Sequence, residues 1–175
     1  MPTPEFVLSL REKIGHDLLW LMGVSGYVED EQGRVLLGRR SDTGEWAMVY
    51  GINEPGEEPA DTVAREVKEE TGLTLTDYRF RGIVTFVSNQ WPTEYMYLYT
   101  ATGFEGEMIV CDEGDLEWVD HDKITDLPIW EGDKLFLRLL AEEAPFFSLK
   151  LEYQGDTLVY AALDGKEIKL QKNEK

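Results

Sequence analysis

Three glutamates stand at i, i+3 and i+4 in the run Arg65-Glu66-Val67-Lys68-Glu69-Glu70-Thr71-Gly72. On a helix this spacing puts their carboxylates on one flank, beside a stripe of Ala60, Val63, Ala64 and Val67 that faces a core. Like charges so placed repel, and Arg65 or Lys68 offsets only part of the repulsion. A hard divalent cation with oxygen ligands is the stronger compensation. Glu57, in the turn before the helix, and the backbone carbonyl of Gly51 are further oxygen donors within reach of such a site. A Glu-rich helix read alone is more often a solvated acidic face. Here the pattern extends well beyond the helix.

The elements that must hold these groups can be read from the same residues. Glu54-Pro55-Gly56-Glu57 is turn chemistry, Pro59 opens the carboxylate helix and Gly72 stops it. Upstream, Thr3-Pro4-Glu5 begins a helix that runs to about Ile14 and ends at Gly15. Leu21 to Val28, the turn Asp30-Glu31-Gln32-Gly33 and Val35 to Arg39 read as a two-stranded hairpin, and Trp46 to Gly51 as a third strand. Tyr78 to Phe86, Glu94 to Ala101 and Leu116 to Val119 are strand-like, with Tyr95, Tyr97 and Tyr99 alternating as one sheet face. A second long helix is expected from Gly132 to Glu143. Phe147 to Ala162, folded at Gln154-Gly155-Asp156, reads as a terminal hairpin, and the tail from Lys166 to Lys175 as loose. Strands mixed with a few helices predict an α/β (α+β) fold, with a mixed sheet sandwiched between helices. The 175 residues are read as a single domain: residues 1–16 an N-terminal helix, 17–145 the core, 146–165 the hairpin and 166–175 the tail.

Composition narrows the function. The chain carries 35 acidic and 17 basic side chains, a formal charge of -18. Such a field repels long polyanions, so nucleic acid and anionic membranes are not expected partners. The one cysteine, Cys111, excludes an intramolecular disulfide and fits a reducing compartment. The early apolar cluster Leu18 to Gly23 is too short to span a bilayer, so a cytoplasmic location is expected. Arg39 and Arg40, after the second strand, have guanidinium forks suited to phosphate oxygens. Trp130, followed by Asp133 at a helix start, could offer a flat base a packing surface and a polar acceptor.

From Gly51 through Glu57 and Arg65-Glu66-Val67-Lys68-Glu69-Glu70-Thr71-Gly72 to Leu73, the chain matches every fixed position of the motif G-x5-E-x7-R-E-U-x-E-E-x-G-U, with U bulky and apolar. A chance match somewhere in a chain of this length is on the order of one in a million on average residue usage. The chain therefore resembles the Nudix hydrolases, which cleave nucleoside diphosphates linked to another group. The resemblance implies Mg2+, with Mn2+ as a substitute, held by Glu66, Glu69, Glu70 and the Gly51 carbonyl. It also implies Glu57 as a support of the loop, Arg65 as the partner that fixes a carboxylate, and Glu66, then Glu69, as acceptor of the water's proton. Asp112-Glu113-Gly114-Asp115-Leu116-Glu117-Trp118, Leu127-Pro128-Ile129-Trp130-Glu131-Gly132-Asp133 and Phe146 to Leu158 are similar to the MutT-like 8-oxo-dGTP diphosphatases. In that group the position of Glu113 ligates metal and those of Trp130 and Asp133 hold the purine. Ala47-Met48-Val49-Tyr50 departs from the pattern, since many members have Pro-Gly ahead of the box glycine and the oxidised-purine group has Asn at the position of Ala47.

These features favour a Mg2+-dependent hydrolase that cleaves a nucleoside triphosphate to monophosphate and pyrophosphate, with a small nucleotide as its partner molecule. Hydrolysis of ADP-ribose, nucleotide sugars or dinucleotides is the alternative within enzymes, and a non-catalytic nucleotide-sensing domain the alternative outside them. The sequence leaves the oligomeric state open, a homodimer included.

Overall fold

In a computed structural model, residues 3–41, 43–111 and 114–170 are described. The first helix, α1 (Glu5–Ile14), ends at Gly15 with φ +60°, as the sequence predicts. β1 (Leu21–Val28) follows and lies inside a seven-stranded sheet, between β4 (Val49–Ile52) and β6 (Glu94–Glu105). The remaining strands of this sheet are β5 (Thr74–Ser88), β8 (Phe147–Gln154), β9 (Thr157–Leu163) and β10 (Lys166–Glu167), in the order β10-β9-β8-β5-β6-β1-β4. β1 pairs parallel with β6 and β5 parallel with β8, while the other neighbours are antiparallel. A smaller sheet holds β2 (Arg34–Arg40), flanked by β3 (Trp46–Ala47) and β7 (Gly114–Asp120).

Three expectations are corrected by this topology. The turn between β1 and β2 forms as read, with Asp30 Oδ1 accepting from the amides of Gln32 and Arg34 at 2.9 Å each. The strands it joins do not pair as a hairpin beyond an isolated bridge between Glu29 and Val35. β2 enters the second sheet instead because Val35, Leu36 and Leu37 are all fully buried and need a core on both faces. The third strand is split at Met48: Trp46 and Ala47 pair with β2, and Val49 to Ile52 pair with β1. This short segment thus ties the two sheets together. The expected tail is paired at its start, since Lys166 and Glu167 lie against β9. The terminal hairpin is integral to the large sheet through β5 and β8.

Helices cover both faces of the large sheet. α2 (Pro59–Thr71) packs Val63 and Val67 on Val24, Val28, Val49 and Tyr99. α3 (Glu131–Ala141) packs Phe136, Leu137 and Leu140 on the opposite face with Tyr27, Leu98, Leu149 and Leu151. Tyr97 and Tyr99 join Phe80 in aromatic contacts on the α2 face, so this stripe serves sheet packing. The close seat of α2 depends on Gly26, where an added Cβ would stand 3.2 Å from Cγ2 of both Val63 and Val67. Gly26→Val should therefore push the helix off the sheet and cost ~1–3 kcal/mol, read as a lower urea midpoint with an unchanged slope. An unaltered midpoint would show that α2 tolerates a wider seat.

Candidate active site

α2 starts with Pro59 at its first turn and ends at Gly72 in the left-handed region, φ +81°, whose amide donates to Lys68 O. Between these stops the three carboxylates meet different surroundings. Glu66 is 3% exposed, while the Glu69 side chain retains 62% of its accessible surface and Glu70 is half-buried. Glu66 lies directly over Gly51: a Cβ there would sit 2.1 Å from Glu66 Cγ. The box glycine is thus a contact residue between β4 and α2, required because no side chain fits.

Arg65 holds the cluster together. Its Nε and Nη2 donate to Glu57 Oε1 and Oε2 at 2.8 and 3.0 Å, a two-point clamp on the loop carboxylate. Its Nη1 donates to Glu66 Oε1 at 2.7 Å and to Glu69 Oε2 at 3.4 Å. Glu57 Oε2 also accepts from Thr62 Oγ1 at 2.9 Å and from the Glu54 amide at 3.3 Å. Asn53 Nδ2 closes the loop onto the Glu57 carbonyl at 3.1 Å. The loop 53–58 is therefore fixed by the helix it precedes.

The electrostatics follow from these contacts. Arg65 holds the Glu57 carboxyl down at about 2, against an ordinary 4.5. Burial raises Glu66, with Arg65 opposing. Glu70 is pushed up to about 7, first by burial and then by the Glu66 charge. Among the described residues no three metal-ligating side chains are already gathered around one point. Arg65 engages an oxygen of Glu66 and of Glu69, and the Glu66 charge still raises Glu70. The hard carboxylate oxygens of Glu66, Glu69 and Glu70 fit a divalent cation in donor type.

Backbone direction also matters. The Asn53 amide donates to Met22 O at 2.9 Å, and Val24 opposes Gly51 two residues along the ladder. Antiparallel alternation turns the Gly51 amide and carbonyl into β1, and those of Tyr50 toward the free edge of β4. The expected Gly51 carbonyl thus serves the ladder.

A cleft of about 250 Å3 runs along this edge, between the two sheets. Arg39, Arg40 and Glu70 line it, with Ala47, Met48, Val49, Tyr50 and Cys111. The two arginines and a box carboxylate are thereby brought to one cavity. Trp130 and Asp133 are not among its lining residues. Trp130 precedes α3 and meets Tyr153 edge-on at 4.9 Å and Phe86 at 6.2 Å. Asp133 is pushed up to about 7 by burial and then by Glu45. Gly132 has no room for a side chain, since a Cβ would lie 2.6 Å from both Tyr153 Oη and Leu151 Cδ1. Glu113 lies outside the described residues. Sequence reasoning passed over Tyr50, Met48 and Cys111 as cleft residues; only the departure from Pro-Gly before Gly51 signalled Tyr50.

The pKa shifts predict opposite pH effects on stability. Glu57 titrates lower when folded, so its contribution is complete above about pH 5 and is lost as pH falls toward 2. Glu57→Gln should cost roughly 1 kcal/mol at pH 7, allowing for solvent screening, with the difference from wild type closing in acid. Glu70 titrates higher when folded, so its charge costs stability as pH rises from about 4.5 to about 7. Metal-free Glu70→Gln should melt above wild type at pH 8 and together with it near pH 4. Thermal melts across this range check both signs, and parallel curves would contradict them.

The model of the NUDIX domain matches residues 20–140. An oxidized purine nucleoside triphosphate hydrolase of Danio rerio is 32% identical over 143 residues, 78% of this chain and 90% of its own length. The uncharacterized Nudix hydrolase YvcI of Bacillus subtilis is 30% identical over 124 residues, covering 66% and 77%. The crystal structure of the MutT protein of Bacillus halodurans is similar at a TM-score of 0.77 and 30% identity, covering 83% of this chain and 99% of that one. The family match spans β1 to β7, the clamped loop and the carboxylate helix together, and the chain belongs to the Nudix family as a hydrolase.

Proposed function

We propose that this hydrolase cleaves a purine nucleoside triphosphate, or an oxidised form such as 8-oxo-dGTP, to the monophosphate and pyrophosphate. The observation that carries the reading is the convergence of Arg39, Arg40 and Glu70 on one cleft beside the clamped carboxylate helix. Similarity to the Danio rerio hydrolase over most of both chains supports the substrate class.

Glu66, Glu69 and Glu70 would hold Mg2+, or Mn2+ in its place, with the edge-facing Tyr50 carbonyl better aimed to assist than that of Gly51. When bound, such a cation neutralises phosphate charge and lowers the pKa of a coordinated water. Arg39 and Arg40 draw the polyphosphate into the cleft and hold it against the overall negative charge of the protein. Attack by water forms one P–O bond and breaks the bridging P–O bond, and the water's proton passes to a carboxylate of α2. Glu66 is nearly fully buried, with an oxygen committed to Arg65. Glu70 lines the cleft, and the proton is assigned to it rather than to Glu66.

Glu113 is proposed as a further ligand only on the family resemblance. The position of Trp130, within the Tyr153 and Phe86 cluster, favours a role in shaping the α3 side over direct base stacking. A small nucleotide is the proposed partner and the cytoplasm the proposed location. No helix among the described residues is long and apolar enough to cross a membrane.

Incubation with Mg2+ and a panel of canonical and oxidised nucleoside triphosphates, ADP-ribose and dinucleotides, followed by chromatography, tests the reading. Triphosphates should yield monophosphate and pyrophosphate. Glu70→Gln should lower kcat by roughly 10²-fold or more with folding retained. Preferential cleavage of ADP-ribose or dinucleotides would replace the substrate assignment, and undiminished turnover in Glu70→Gln would remove this carboxylate from the chemistry.

A further inference from the structure

We propose that Tyr50, pinned across β1 by Glu94, is the aromatic wall that contacts the substrate's base in the cleft. The inference deepens the nucleotide-hydrolase reading and rests on it. Tyr50 is the one aromatic among the described residues that line the cleft shared by Arg39, Arg40 and Glu70. Its neighbours there include Ala47, Met48 and Ile52, which offer apolar contact but no π face.

The ring is held before any ligand arrives. Tyr50 Oη donates a hydrogen bond to Glu94 Oε1, joining β4 to β6 over the intervening β1. The space for this crossing exists because residue 23 is glycine. A Cβ at Gly23 would stand 2.4 Å from Glu94 Oε1, 2.6 Å from Tyr50 Cε2 and 2.7 Å from Tyr50 Oη. Three residues from three strands, Gly23, Tyr50 and Glu94, thus fix the ring of a residue that lines the cleft. An anchored ring loses little rotamer freedom when a ligand packs on it, so more of the contact energy appears as affinity. Stacking on a tyrosine accepts any base, because every base has a π face. Tyr50 therefore supplies affinity for the nucleoside portion in general, while the arginines address the phosphates. Trp130 is tied edge-on to Tyr153 and stands away from this lining.

The test is calorimetric titration of wild type and variants with GMP, UMP and pyrophosphate as separate probes in the presence of a chelator. Tyr50→Leu should weaken GMP and UMP about tenfold and leave pyrophosphate unchanged. Tyr50→Phe and Glu94→Ala, which release the pin but keep a ring, should each weaken the monophosphates about threefold. Glu94→Gln, whose amide oxygen still accepts from the tyrosine hydroxyl, should restore wild-type affinity. If Tyr50→Leu fails to fold by circular dichroism, the graded pair of Glu94→Ala against Glu94→Gln decides. Wild-type monophosphate affinity in Tyr50→Leu, an equal loss for pyrophosphate, no difference between the two Glu94 variants, or no saturable monophosphate binding by wild type would each overturn the proposal. Wild-type hydrolysis of nucleotides is followed in parallel. Hydrolysis with Tyr50-independent affinity defeats this inference alone, whereas Tyr50-dependent binding without hydrolysis defeats the hydrolase reading alone.

Discussion

The guanidinium of Arg65 is the interaction on which the site depends. It spans the loop before α2 and the helix itself, clamping both oxygens of Glu57 and one of Glu66. Without that charge, Glu57 and Glu66 would face each other in a partly desolvated corner, where like charges repel strongly. The clamp converts the repulsion into a fixed geometry and sets where the loop 53–58 leaves the sheet. Gly51 supplies the other half of the constraint, because its missing side chain lets Glu66 lie directly on β4. Charge pairing and close packing therefore act on the same carboxylate from opposite sides.

From this corner the functional asymmetry of the helix follows. Glu66 is nearly fully buried, Glu69 is largely solvated, and Glu70 lines the cleft with its carboxyl pushed up to about 7 by burial and the Glu66 charge. The fold adds two guanidinium groups from a separate sheet. Arg39 and Arg40 reach the cleft because β2 leaves β1 and joins β3 and β7, so the arginines at the end of β2 approach the free edge of β4. A simple hairpin would have set β2 beside β1, in a place that β4 or β6 now occupies.

Much of this was legible in the sequence, and the residues show why. The bounds of α2 were marked by Pro59 and Gly72, whose backbone preferences act locally. The close relation of Gly51, Glu57, Arg65 and Glu66 was encoded in a spacing that survives folding because it stays within one strand, the loop that follows it and one helix. Strand partners were less legible. The run Val35-Leu36-Leu37 reads as a strand in any sheet, and only its burial on both faces decides that it lies between β3 and β7. The Tyr50–Glu94 contact joins residues 44 positions apart, and no local pattern announces it. Trp130 and Asp133 had a motif-like spacing, yet the packing of Tyr153 and Phe86 around Trp130 depends on strands distant in the chain.

The most direct test of the account is the position of a bound cation and phosphate in one crystal. Diffraction at the manganese edge from crystals grown with Mn2+ and a non-hydrolysable nucleoside triphosphate analogue should show an anomalous peak against the carboxylates of α2, with phosphate oxygens between that peak and Arg39 and Arg40. A metal peak away from Glu66, Glu69 and Glu70, or a polyphosphate outside the β4 cleft, would contradict the account.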